Sequence, residues 1–293
     1  MKSLSLSGCG TALVTPFRDG EVDYAAFSAL LDRQMAAGMH FLVPLGTTGE
    51  TPCLDETERI RILELTREKS AGRPVVAGGG TNSPVQTISG MKTLSPYGAD
   101  AFLVVVPYYN KPTQEGIYEY FLAVADAVDK PVVMYNVPSR TGVNMTAETA
   151  LRLAEHDNIV AVKEASGNYA QISEIIRNAP EGFSVLSGND DETLPLMATG
   201  AAGVISVASN IAPALMVSLV EALQNNDIEK ARGLHHMLSP LFRNCFVESN
   251  PIPVKAGMAA MGLMKEEYRL PLVPGSRRTY ELMQQTVAGL GLL

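Results

Sequence analysis

Short apolar runs recur along this chain at a spacing that suits one architecture. They fall at residues 11–14, 41–45, 74–77, 101–106, 131–135, 159–163, 183–186 and 203–207, and they do not alternate with polar residues. Continuous apolar strands are what a parallel sheet covered on both faces requires. Between them lie helical stretches with readable ends. Asp55-Glu-Thr-Glu58 has the form of a capping box, and Arg67 and Lys69 stand where a last turn would be. Thr113, Thr146 and Asn168 are placed to cap three more helices. Eight β-then-α units predict an α/β fold closed as a (β/α)8 barrel. A doubly wound open sheet is the alternative, though it usually has fewer strands.

After residue 226 the strand signal stops. Residues 228–242, 254–264 and 276–292 read as helices joined through prolines. The expected organisation is a catalytic barrel over 1–226 and a C-terminal helical domain over 227–293, packed together because no low-complexity linker separates them. Residues 193–220 carry no charge, but Pro195, Gly200, Gly203 and Pro213 punctuate them. A buried helix, a strand and a second helix fit that stretch better than a membrane span.

Composition narrows the field. The 293 residues are 46% apolar and 18% charged, with a net charge of −8. Such acidity offers no footprint for nucleic acid. The three cysteines are widely spaced and the four histidines form no ligand pattern, so neither a disulfide framework nor a metal site is expected. Leu6-Ser7-Gly8-Cys9 looks like a lipoprotein cleavage box, but it lacks the apolar stretch of roughly 7–15 residues that a signal needs. The expected location is therefore the cytoplasm.

In such a barrel the chemistry sits at the C-terminal ends of the strands. Lys163 closes one apolar run there. Burial would lower its pKa and make a neutral amine available to attack a ketone. A lysine that snorkels to solvent, or one paired with Glu164, is the plainer alternative. Tyr135 ends the neighbouring run and could move protons, or simply sit at the rim. Thr47 and Thr48 lie in a glycine-bounded turn suited to a carboxylate, which is also a common βα turn. Arg140 could clamp a second carboxylate, or form a surface ion pair. Gly78-Gly79-Gly80 lacks the spacing of a phosphate loop and reads as backbone crowding. Asp190-Asp191-Glu192 reads as a helix start.

Gly46-Thr-Thr-Gly-Glu50, Pro107-Tyr-Tyr-Asn110, Tyr135-Asn-Val-Pro-Ser-Arg-Thr-Gly142, Val162-Lys-Glu-Ala165 and Phe246-Val-Glu-Ser-Asn-Pro-Ile-Pro-Val-Lys255, in that order, resemble the dihydrodipicolinate synthase family. The resemblance implies a lyase that condenses pyruvate with L-aspartate 4-semialdehyde, the committed step of lysine and diaminopimelate biosynthesis. It implies an imine between Lys163 and pyruvate and no separate cofactor. It implies a proton relay of Tyr135, Thr47 and Tyr109, with Tyr109 supplied by a neighbouring subunit of a homodimer or homotetramer. Thr48, Gly188 and Ile205 would hold pyruvate, and Arg140 the aldehyde's carboxylate. Lysine-sensitive members carry an effector site. Asn82 and Tyr108 match it, whereas Glu56 and Arg59 replace histidines and Gln86 replaces a glutamate, so weak or absent lysine feedback is expected. Sister lyases acting on sialic acid or sugar-derived 2-keto acids share the lysine and tyrosine. A non-catalytic keto-acid binder and a cofactor-dependent barrel enzyme are the other classes, and both fit the residues less well.

Overall fold

The computed structural model describes residues 4–293. Eight parallel strands form one sheet: β1 (Gly8–Ala12), β2 (Phe41–Val43), β3 (Val76–Gly78), β4 (Ala101–Val105), β5 (Val132–Asn136), β6 (Ile159–Glu164), β7 (Ser184–Ser187) and β8 (Gly203–Ser206). Their order is β2-β1-β8-β7-β6-β5-β4-β3. A parallel bridge from Leu42 to Val75 joins the two ends, so the sheet closes into a barrel with no free edge. All eight runs read from the sequence coincide with these strands. The first is displaced: the strand starts at Gly8, not at residue 11, because two of its first three residues are glycines, which propensity counts against a strand.

Eight helices cover the barrel, each following its strand: α1 (Tyr24–Ala36), α2 (Glu56–Lys69), α3 (Pro84–Leu94), α4 (Gln114–Ala127), α5 (Ala147–Ala154), α6 (Tyr169–Asn178), α7 (Thr193–Ala198) and α8 (Pro213–Gln224). The expected caps form. Asp55 and Glu58 make a reciprocal capping box, and Thr113, Thr146 and Asn168 each accept a backbone N–H of the first turn. The uncharged stretch after Thr193 is indeed helix, strand and helix. Asp190–Glu192 forms a 3₁₀ turn that leads into α7.

Two apolar cores result. Side chains facing outward from the strands pack beneath the helices. A smaller cluster fills the barrel, including Phe41, Val76, Leu103, Val133, Tyr135, Ala161, Ala165, Leu186 and Ile205. On β6 the two-residue period sends Val162 to the outer core and Ala161 to the inner one. That period places Lys163 on the inner face as well, at the end of the strand. The triple glycine is crowded as expected: a methyl group at Gly78 would lie 1.7 Å from the Leu45 carbonyl oxygen of the next strand's loop.

Three further helices follow: α9 (Ile228–Asn244), α10 (Ile252–Ala260) and α11 (Arg277–Gly289). Their segment reaches the C-terminal mouth of the barrel through Asn250, which bonds Thr48, and Lys255, which bonds Glu50. Among the described residues no helix is long and apolar enough to cross a membrane.

Candidate active site

The mouth of the barrel holds a cavity of about 560 Å³. Lys163, Tyr135, Thr47, Thr48, Arg140 and Gly188 all line it, as do Asn189, Val207 and the segment Phe246–Asn250. Six of the residues singled out in the sequence are therefore brought to one place from four different strand ends.

Lys163 is only 5% exposed, so it does not snorkel. Nor does it rely on Glu164. The Glu164 carboxylate lies on the other side of β6 and accepts from Asn136 Nδ2 at 2.8 Å and Gln171 Nε2 at 2.9 Å. The Lys163 ammonium instead sits 4.3 Å from the centre of the Tyr135 ring. Burial lowers its pKa from 10.5 to about 8, opposed by the charge of Asp190 and assisted by that of Arg140. At that value a useful fraction of the amine is neutral near physiological pH. Tyr135 is pushed in the opposite sense, to about 12, again by burial, with Arg140 pulling it back. Its hydroxyl stays protonated, so it moves a proton only by giving up its own while receiving another.

The threonine turn is a 3₁₀ turn, Thr47–Gly49, ended by Glu50 in the left-handed conformation at φ 53°. Thr48 Oγ1 accepts a hydrogen bond from Asn250 Nδ2 at 2.8 Å, which leaves the threonine proton for a ligand. The same asparagine uses its backbone carbonyl to accept Arg140 Nη2 at 3.2 Å. Arg140 stands in the single helical turn Pro138–Thr141 after β5. Gly188 is needed as glycine: a methyl group there would lie 2.7 Å from Ala165 Cβ and 3.1 Å from Lys163 Cε.

Two expected residues lie apart from this cavity. Ile205 is fully buried in the barrel core behind it. Tyr109 is 88% exposed, with φ 71°, on the loop after β4. It does not line the cavity of its own chain. Tyr108 beside it is half-exposed, and its carbonyl accepts Asn82 Nδ2 at 3.2 Å. Gln86 and Glu56 are exposed in the first turns of α3 and α2, and Arg59 Nη2 donates to the Thr51 carbonyl at 3.1 Å.

Four residues in or behind the site were given no such role in the sequence reading. Asn250 ties Thr48 to Arg140. Lys255 and Glu50 form a buried ion pair behind the threonine turn. Asp190, read as a helix start, is a buried carboxylate whose charge bears on Lys163. The run of prolines around residue 250, in a segment otherwise helical, was the available signal that the chain makes a fixed turn there.

Comparison with known proteins agrees with the geometry. The model of the dihydrodipicolinate synthetase family matches residues 5–289. The chain is 49% identical to a 4-hydroxy-tetrahydrodipicolinate synthase of Koribacter versatilis, covering 99% of this chain and 98% of that protein. It is 46% identical to the enzyme of that name from Thermotoga neapolitana, covering 98% and 99%. The crystal structure of dihydrodipicolinate synthase from Thermotoga maritima superposes with a TM-score of 0.97 at 45% identity, covering 99% of this chain and all of that one. The chain belongs to the dihydrodipicolinate synthetase family.

Proposed function

We propose that the protein is a lyase that condenses pyruvate with L-aspartate 4-semialdehyde to give 4-hydroxy-tetrahydrodipicolinate, the first committed step towards diaminopimelate and lysine. The observation that carries this reading is the company Lys163 keeps: a buried amine of lowered pKa in one cavity with a threonine turn and an arginine.

The neutral Lys163 amine attacks C2 of pyruvate, and the carbonyl oxygen leaves as water. Thr48 and the backbone around Gly188 hold the pyruvate carboxylate. The resulting iminium draws electrons from C3, which loses a proton to the relay of Tyr135, Thr47 and the Tyr109 of a second subunit. The enamine carbon then bonds to the aldehyde carbon, whose oxygen takes a proton back from the relay. Arg140 binds the aldehyde's carboxylate in a fork that a lysine would not supply. The substrate amine finally attacks C2, closes the ring and releases Lys163. One water is lost overall. The imine itself is the electron sink, so no separate cofactor is required. Tyr109, exposed in the single chain, supports a homodimer or a homotetramer built from such pairs. The free cysteines suit a cytoplasmic enzyme.

The test is a coupled assay with pyruvate, aspartate semialdehyde, dihydrodipicolinate reductase and NADPH. Oxidation of NADPH that needs both substrates supports the synthase. Absence of turnover with the semialdehyde, together with cleavage of sialic acid or a sugar-derived 2-keto acid, would assign the chain to the sister lyases, which share Lys163 and Tyr135.

A further inference from the structure

Tyr135 and Lys163 are paired across β5 and β6, and so are the residues that follow them, Asn136 and Glu164. The first pair faces into the barrel. The second, by the alternation of the strands, faces out beneath the helices, where both side chains are wholly buried. The chemistry proposed above uses only the first pair. Arg140 lies in the loop that leaves β5 at Asn136 and reaches α5 through Met145. Its guanidinium is exposed and donates to the Asn250 carbonyl at 3.2 Å, the long end of the usual range. The turn that carries it is closed on itself. The Arg140 and Thr141 amides donate to the Val137 carbonyl at 2.9 and 3.0 Å, and the Gly142 amide to the Pro138 carbonyl at 2.9 Å. Such a turn moves as a unit, so its place over the cavity is set where the loop is tied down.

Asn136 ties both ends. Its Oδ1 accepts the Met145 amide at 3.0 Å and its Nδ2 donates to the Met145 carbonyl at 3.3 Å, the pair of bonds that one strand residue gives another. The same Nδ2 donates to Asn144 Oδ1 at 2.9 Å and to Glu164 Oε1 at 2.8 Å, so its two hydrogens are shared among three acceptors. Gln171 of α6 completes the ring. Its Oε1 accepts Asn144 Nδ2 at 2.8 Å, and its Nε2 donates to Glu164 Oε2 at 2.9 Å. The start and the end of the Arg140 loop are thereby joined to each other and to the strand that carries Lys163.

We propose that Asn136 is a positioning residue that acts through Arg140: its buried amide clasps the two ends of the Arg140 loop and fixes the guanidinium relative to Lys163. The spacing so fixed is that between the imine and the carboxylate of the second substrate, and the inference rests on the role given to Arg140 above. Lys163 and Tyr135 do not depend on the clasp. Their strands are held by the ladder and by the Ala165 amide, which donates to the Asn136 carbonyl at 2.9 Å, and neither involves the side chain. Among the described residues no hydrogen bond of the Asn136 side chain reaches Thr48 or Gly188. Removal of the amide therefore loosens the second substrate's site and leaves imine formation in place.

The experiment compares wild type, Asn136→Ala and Asn144→Ala, as full-length protein, in two assays. One is borohydride trapping as a function of pyruvate concentration, and the other is steady-state turnover as a function of semialdehyde concentration. Asn144 is half-buried, so its variant cuts the clasp from the loop side and serves if Asn136→Ala does not fold. KM for the semialdehyde is expected to rise about tenfold in Asn136→Ala and less in Asn144→Ala. Half-saturation of trapping by pyruvate should stay within about twofold of wild type. In an Arg140→Ala background, Asn136→Ala should lower kcat/KM for the semialdehyde by less than about twofold more. Equal losses for both substrates, or a full tenfold loss on top of Arg140→Ala, would make Asn136 merely structural and overturn the inference. Unchanged semialdehyde kinetics in the variants would overturn it too. Wild type that traps pyruvate but does not turn over the semialdehyde would instead overturn the substrate reading on which it rests.

Discussion

Lys255 Nζ and Glu50 Oε1 meet at 2.6 Å with both side chains wholly buried. The lysine also donates to the Thr15 carbonyl at 3.0 Å and lies against the rings of Phe17 and Tyr268. Glu50 ends the turn that carries Thr47 and Thr48. The ion pair thus fastens the C-terminal segment to the substrate-binding turn. Lys255→Met leaves Glu50 buried and unpaired, and should cost about 3–5 kcal/mol in denaturant unfolding. Adding Glu50→Gln to it should restore much of that loss. A single variant as stable as wild type would show that the pair is not what holds the turn.

Lys163 itself should be a destabilising residue. Burial lowers its pKa to about 8 in the folded chain, from the 10.5 of an ordinary lysine. Between these values the unfolded chain binds more protons, so stability rises with pH across that window. The penalty is complete below pH 8 and fades as the pH rises through 10.5. Lys163→Met should therefore raise stability at pH 7 by on the order of 3 kcal/mol, with the gain gone near pH 11. Thermal unfolding at the two pH values checks this. An equal gain at both would trace the effect to packing instead of charge.

Asn250→Ala takes the donor from Thr48 but leaves the backbone carbonyl that receives Arg140. The loss of one buried hydrogen bond is worth about 1–2 kcal/mol, or roughly tenfold in affinity. KM for pyruvate should rise by that factor while KM for the semialdehyde changes less. Steady-state kinetics with each substrate varied in turn decides it, and the reverse pattern would place Asn250 with the second substrate.

Lysine feedback should be weak or absent. Gln86 is exposed and offers no carboxylate to an effector's ammonium group. Titration of lysine into the coupled assay should leave the rate nearly unchanged into the millimolar range. A low-micromolar inhibition constant would contradict this.

The fold was legible because its signals are local. Eight apolar runs, four side-chain caps and the punctuation of residues 193–220 are each read within a few residues, and each corresponds to an element of the structure. Lys163 and Tyr135 were legible because the ends of barrel strands converge. What was not legible depends on contacts between distant segments. Asn250 matters because it meets Thr48, 202 residues away, and Lys255 because it meets Glu50, 205 residues away. Asp190 has the look of any acidic helix start until β8 closes over it. Glu164 was the opposite case: adjacent to Lys163 in sequence, it is separated from it by the alternation of the strand.

The most direct test of the central assignment is mass-spectrometric peptide mapping after borohydride reduction in the presence of pyruvate alone. One reduced pyruvate adduct per chain is expected, on the peptide containing Lys163, and no adduct in Lys163→Ala. An adduct on Lys255 or any other lysine, or equal trapping in the alanine variant, would contradict the assignment of Lys163 as the imine-forming residue.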